Sequence, residues 1–206
     1  MMLGWESGGR MPKIVDYDAR RTAIGRAVAR LIEREGLGAV SVRAVAGEAG
    51  MEPSTLRHYF PSSDEMLGFA LSLLRRDQEA RLAALPRTGD ALADLRAAWL
   101  QSMPLDAARR TECHVWVAVT AAARTPLLRG MLEEVDEGLD HLSRATVAAC
   151  GVRGDAGLEA MGLRAFTDGL ALNAVTQPEV FTPELVERLL DSRLRRLRDE
   201  GAAGGR

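Results

Sequence analysis

Apolar side chains recur at helical spacing along almost the whole chain. From residue 16 to 35 they form one stripe, which predicts an amphipathic helix. The members of this stripe are Ile24, Ala27, Val28, Leu31 and Ile32. Gly36 and Gly38 follow directly and are expected to end the helix, because glycine is favoured just beyond a helix C-terminus.

Start and stop signals divide the rest of the chain into further helices. Two short ones are expected at 42–49 and 54–59, with Gly50 between them and Pro61 after them. Six longer helices should follow, marked by capping residues and by proline at first helical positions. Their expected ranges are 62–82, 90–103, 104–123, 126–150, 157–176 and 183–200. The pattern predicts an all-α fold of about nine helices, with a small head and a larger body sharing the fourth helix.

Composition agrees with this assignment and suggests the domain limits. Apolar residues make up 47% of the chain and aromatic residues only 4%, a balance that favours helices. We expect disordered tails at 1–13 and 201–206, a head at 14–62 and a body at 63–200. The longest apolar runs are too short to span a membrane, and no signal peptide is apparent. A cytoplasmic protein is the simplest interpretation.

The stretch from Val42 to Phe60 has the spacing of a helix-turn-helix. Two helices that cross steeply around a tight turn need a small residue where they approach, and Ala46 supplies it. Gly50 suits the positive φ of the turn, and Leu56 anchors the second helix to the first. The alternative is an ordinary αα-corner with a polar surface. The residues left facing outward are Pro53, Ser54, Thr55, Arg57, His58 and Tyr59, which suit base edges and phosphates.

Residues 16–67 resemble the DNA-binding head of TetR-family regulators. The match rests on the amphipathic first helix, on VSVRAVAGEAGMEPSTLRHYF and on the following PSSDEML. It implies that the second and third helices and the start of the fourth contact DNA. The implied contact residues are Ser41, Arg43, Pro53, Ser54, Thr55, Arg57, His58, Tyr59 and Ser63.

Three positions depart from the usual pattern of this family. Arg57 stands where the family usually has a tyrosine, and its charge can serve the same phosphate contact. Ser63 stands where many members have a lysine, which leaves backbone amides to bind a phosphate. Glu52 replaces a serine or similar residue, so it would either repel DNA or accept from a cytosine amine.

Charge in the head fits DNA binding. Residues 20–60 carry seven arginines and four glutamates, in a chain whose net charge is −2. DNA binding therefore has to come from a local patch. A solvated helix face would give the same balance.

The resemblance also implies a body that pairs two subunits. The eighth and ninth helices carry apolar stripes with small residues between them, which suits close packing of helices. The residues expected at the dimer interface are Phe166, Leu170, Val186, Leu190, Leu194 and Leu197. The alternative is that these stripes serve only the core of the single subunit.

A small-molecule site is expected among the fifth to seventh helices, which enclose the pocket in relatives. The expected lining residues are Trp99, Met103, Trp116, Thr120, Met131 and Val135, and plain core packing is the alternative. Two stretches, ECHVWVAVTAAARTPLLR and DGLALNAVTQPEVFTPE, resemble the choline-responsive betaine regulators. Choline itself would need an aromatic cage, and two tryptophans alone do not make one.

The resemblance implies a ligand-released repressor that acts as a homodimer on a palindromic operator, with an unknown small-molecule effector. The alternative is a helical scaffold protein whose head no longer binds DNA. We expect no enzyme, since Cys113 and His114 are neighbours that point in different directions and no third group is apparent. No cofactor motif or metal-ligand spacing is present.

Overall fold

The computed structural model describes residues 13–203, and within that range the chain forms nine α-helices, one short 3-10 helix and no strand. The predicted all-α class is therefore confirmed. None of the helices in this range is both long and apolar enough to cross a membrane. The helices are α1 Lys13–Glu35, α2 Val42–Glu48, α3 Pro53–Tyr59, α4 Ser63–Ala83, α5 Ala91–Gln101, α6 Ala107–Ala122, α7 Pro126–Ala149, α8 Ala156–Thr176 and α9 Pro183–Ala203.

The capping residues expected from the sequence begin their helices as predicted. The Ser62 hydroxyl accepts from the Glu65 amide at 3.2 Å, which caps α4. The Thr125 hydroxyl accepts from the Leu128 amide at the start of α7. The Thr182 hydroxyl accepts from the Leu185 amide at the start of α9. Each bond satisfies an amide that has no partner inside the helix.

Three helix boundaries differ by three residues from the sequence prediction. Helix α1 begins at Lys13, which was assigned to a tail, and not at residue 16. The sixth helix does not begin at Pro104, because Asp106 caps it and it starts at Ala107. The ninth helix continues to Ala203, although a disordered tail was expected at 201–206. Gly201 lies so close to the carbonyl of Cys150 that any Cβ would clash with it, so this glycine permits packing instead of ending the helix. The rest of both predicted tails, residues 1–12 and 204–206, lies outside the described part of the chain.

Two apolar clusters hold the molecule together. The first joins α1, α2, α3 and the first half of α4 to α6 and α7. The second fills the body between α5, α6, α7, α8 and α9, and it includes the fully buried Trp99, Leu163, Leu190 and Leu197. Burial of each such side chain contributes about 1.5–3 kcal/mol, so these clusters outweigh the surface ion pairs.

Helix α4 belongs to both parts of the molecule. Its first half carries Met66 and Leu67 into the head cluster. Its second half forms ion pairs with the body, from Arg75 to Glu134 on α7 and from Arg81 to Glu112 on α6. A movement of α4 would therefore be felt in both parts.

Candidate nucleic-acid interface and effector cavity

The turn between α2 and α3 has the geometry that its sequence predicts. Gly50 has a φ of 65°, which glycine adopts without steric cost. The Met51 amide donates to the Ala46 carbonyl and the Gly50 amide donates to the Gly47 carbonyl. These two bonds make a Schellman motif, which satisfies the last carbonyls of α2. The direction in which α3 leaves the turn is thereby fixed.

Helix α3 buries one side chain and exposes the others. Leu56 is fully buried in the head cluster and is the only residue of this helix that is. Pro53 occupies the first helical position, where its missing N–H costs nothing. The exposed residues are Pro53, Ser54, Thr55, Arg57 and His58. The structure therefore presents five of the predicted contact residues on one short helix.

Tyr59 is half-buried and packs on α1. Its ring lies 4.9 Å from that of Tyr17, centroid to centroid, and 6.0 Å from that of His58. These ring contacts fix the end of α3 against α1 and limit the rotamers of Tyr59 and His58. The predicted contact of Tyr59 with the DNA backbone stays a prediction.

The remaining predicted contact residues lie at helix starts. Ser41 caps α2 by accepting from the Ala44 amide at 3.2 Å, so its hydroxyl already has a structural role. Arg43 is exposed within the first turn of α2. Ser63 is exposed at the first position of α4.

Only part of the positive charge in the head is available for DNA. Arg30 and Arg34 on α1 both pair with Glu48 on α2, and these guanidinium groups lower the pKa of Glu48. Arg43 and Arg57 form no ion pair with any residue that the structure describes. The sequence analysis did not identify Glu48 as the ion-pair partner of Arg30 and Arg34. These residues lie on separate helices, and the sequence alone does not show which side chains of the two helices meet.

Known proteins share both halves of this architecture. The family described as bacterial regulatory proteins, tetR family, matches residues 24–68. The family described as BetI-type transcriptional repressor, C-terminal, matches residues 91–199, which is more than half of the chain.

The chain belongs to the TetR family.

Individual relatives agree with this assignment. The chain is 31% identical over 188 residues to the HTH-type transcriptional regulator PksA of Bacillus subtilis, covering 87% of this chain and 90% of the relative. A transcriptional regulator from Rhodococcus sp. Rha1 is 34% identical with a TM-score of 0.74, over 86% of this chain and 95% of that one. A transcriptional regulator from Saccharomonospora viridis, solved in complex with choline, is 25% identical with a TM-score of 0.69, over 86% and 96%.

Membership of the TetR family makes this chain a transcriptional regulator and not an enzyme. The environment of Cys113 agrees with that. Burial raises the pKa of its thiol to about 12, so the group stays protonated and unreactive at neutral pH. Burial lowers the pKa of His114.

The body of this TetR-family chain contains a cavity of about 400 Å³ among α4, α5, α6, α7 and α8. That volume lies in the usual range for small-molecule sites, about 300–1,000 Å³. Four predicted residues line it, namely Trp99, Met103, Trp116 and Val135.

Thr120 and Met131 do not line this cavity. Thr120 lines a neighbouring surface pocket together with Trp116, and the Met131 sulfur packs against Gly68 on α4. The sequence analysis missed the wall that α4 supplies, which includes Leu71, Leu74 and Gln78. The amphipathic pattern of α4 did not distinguish a cavity wall from ordinary core.

The residues expected at the dimer interface lie mostly inside the protomer. Leu170, Val186, Leu190 and Leu197 are buried in the body cluster, and Phe166 and Leu194 are half-buried against it. A side chain with almost no exposed surface has little to offer a partner, so the burial of these four side chains favours the core alternative. The large apolar side chains that α8 does expose are Leu158, Met161 and Leu172.

Proposed function

We propose that this chain is a ligand-released repressor that binds a palindromic operator as a homodimer. The observation that carries the proposal is the exposed polar face of α3, held in place by the Schellman turn and by Leu56. Such a helix fits the major groove, which is wide enough to admit it. The family assignment supplies the context of transcriptional control.

In this proposal the exposed side chains have separate tasks. Arg43 and Arg57 contact phosphates or guanine edges, since both are exposed and have no described ion-pair partner. Ser54, Thr55 and His58 are short enough to contact base edges or thymine methyl groups. A two-fold dimer would set two such helices about 34–36 Å apart, which is one turn of DNA.

Release from DNA is proposed to act through α4. This helix contributes Met66 to the head cluster and lines the cavity with Leu71 and Leu74. A ligand that binds better when α4 is displaced would shift the population toward head spacings that do not fit DNA. The solved relative with bound choline shows that a protein of similar fold holds a small molecule.

The experiment that tests the function is a DNA titration of the intact protein. A labelled fragment from upstream of its own gene would be titrated at two salt concentrations with nonspecific competitor. We expect a competitor-resistant complex whose affinity falls steeply with salt, because binding releases counterions from the phosphates. If genome-wide fragment selection also yields no bound sequence at either salt concentration, the repressor proposal is wrong.

Dimerisation is proposed to use the exposed apolar face of α8. Leu158 and Met161 are 63% and 70% exposed, and together with Ala165 and Leu172 they recur at helical spacing along one side of that helix. An isologous contact would bring this face against its copy on the partner, with both α9 helices beside it. Burial of such a face would remove the largest exposed apolar side chains of the body from water.

Replacing Met161 with glutamate is therefore expected to convert the dimer into a monomer. The change puts a charge into an apolar contact but leaves the protomer core untouched, because Met161 contributes little to that core. Sedimentation velocity across a range of concentrations measures the result. Leu127→Glu is the matched control, since Leu127 is 47% exposed but lies on α7. A Met161→Glu protein as dimeric as the control would exclude this face.

A further inference from the structure

A second cavity lies between α5 and α9, apart from the effector cavity. Its volume is about 290 Å³, and it shares no lining residue with the effector cavity. Leu92 on α5 and Leu194 on α9 give it apolar walls, and it reaches inward to Thr146 on α7, which is fully buried. This volume is close to the lower end of the usual range for small-molecule sites, so the cavity suits a small ligand.

Two carboxylates line this second cavity, and each already has partners. Asp191 on α9 accepts two hydrogen bonds from Arg96 on α5, of 2.5 and 3.0 Å, which makes a bidentate pair. Asp90 accepts from the amides of Leu92 and Ala93 and so caps α5. The positive end of the helix dipole favours a negative charge at that position. Neither carboxylate therefore needs a further cation.

Two arginines in the same lining have no comparable partner. Arg195 forms no ion pair with any residue that the structure describes, and Arg198 reaches only its neighbour Asp199, at 3.9 Å. Arg195 and Arg198 lie three positions apart on α9, so their guanidinium groups lie on adjacent turns of one helix face. Like charges at such a spacing repel each other. An anion bound between them would replace this repulsion with attraction.

The carboxylates just outside the cavity do not cancel these two charges. Glu187 lies 3.5 Å from Arg96, and Asp199 lies beside Arg198. The side chains of Glu187 and Asp199 are 44% and 75% exposed, and water and salt screen exposed charges. In the lining itself, three guanidinium groups face two carboxylates. The lining therefore carries a net positive charge.

The face of α9 that carries these arginines is not the face that packs on α8. Arg193 pairs with Glu159 on α8, whereas Asp191 pairs with α5. Arg195 and Arg198 follow Asp191 at helical spacing, so they lie on the α5 side of α9, and both are exposed. The dimer contact that we propose is made by α8, on the other side of α9. The cavity therefore stays accessible in the proposed homodimer.

We propose that this cavity is a second ligand site, which binds a small organic anion through Arg195 and Arg198. The anionic group is a carboxylate or a phosphate, whose oxygens match the N–H fork of a guanidinium group. A short apolar body packs against Leu92 and Leu194, where burial of apolar surface stabilises it. The site is separate from the effector cavity, and it does not depend on the proposed function.

Calorimetry on the intact protein without DNA tests this proposal with three probes. Benzoate and benzamide have the same shape but differ in charge, and phenyl phosphate represents the phosphate class. We expect at least one of the two anions to bind about tenfold more tightly than neutral benzamide, because charge-assisted hydrogen bonds are stronger than neutral ones. The anion that binds more tightly identifies the preferred group. If neither anion binds more tightly than benzamide, the proposal is wrong.

Two double variants locate the site. Arg195→Gln combined with Arg198→Gln should reduce the preference for the anion about tenfold and so abolish it. Arg188→Gln combined with Arg196→Gln is the matched control, because it changes the net charge equally at exposed positions of α9 outside the cavity. The control protein should keep the preference of the unchanged protein. Equal preferences in the two double variants would exclude the cavity between α5 and α9 as the anion site.

Discussion

Replacing Arg57 with alanine is expected to weaken operator binding by about 1–3 kcal/mol for each head. In the proposed homodimer two heads bind one operator, so the dimer should lose about 2–6 kcal/mol, provided that the two contacts are independent. The reason is that Arg57 is exposed on α3 and forms no ion pair with the described residues, so its charge is available to DNA. A titration of the operator fragment at several salt concentrations measures this loss.

The matched control for this prediction is Arg87→Ala. Arg87 is an exposed arginine on the loop between α4 and α5, so its removal changes the net charge equally but leaves α3 intact. Sedimentation should find both variants dimeric. If the two variants lose the same affinity, the contact is nonspecific attraction and α3 is not the recognition helix.

Salt dependence distinguishes two roles for Arg57. A phosphate contact would reduce the slope of affinity against salt by about one unit and weaken all sequences alike. A guanine contact would instead relax the preference at one base pair of the operator. A protein that stays dimeric and folded but binds no DNA before or after the substitution would support the scaffold alternative.

The head was predictable because its decisive contacts are local in sequence. Ala46, Gly50 and Leu56 lie within eleven positions of one another, and each meets a requirement that the turn imposes. Ala46 lets the two helices approach, Gly50 makes the turn and Leu56 anchors α3. Because one anchor is enough, the other side chains of α3 can face outward. No long-range information was needed to reach that result.

The body was less predictable because its surfaces depend on long-range packing. Leu190 and Leu197 belong to a stripe that would suit either a partner or the core of the same subunit. Whether this stripe packs on a partner or on the same subunit depends on the positions of α8 and α5. The spacing of apolar residues along α9 does not determine those positions. The same holds for Arg164, whose three carboxylates come from α7 and from the next turn of α8.

Replacing Trp99 with alanine is expected to lower the free energy of unfolding by about 3–5 kcal/mol, because it empties the largest fully buried side chain of the body. The substitution also leaves the Thr146 hydroxyl without its donor, since the indole N–H donates to it at 3.0 Å. Typical domains are stable by only about 5–15 kcal/mol. Denaturant unfolding at one fixed protein concentration measures the change, because dimers gain stability with concentration.

Two further variants separate the contributions of this side chain. Trp99→Phe keeps much of the ring volume but removes the N–H, so its cost should be smaller and should report mainly the lost hydrogen bond to Thr146. Trp116→Ala is the control for removal of an indole that is only half-buried, and it should cost less than Trp99→Ala. If the two alanine substitutions lowered the free energy of unfolding equally, Trp99 would contribute no more to the stability of the fold than Trp116 does. The expected difference instead assigns Trp99 to the stable floor of the cavity and leaves Trp116 available to a ligand.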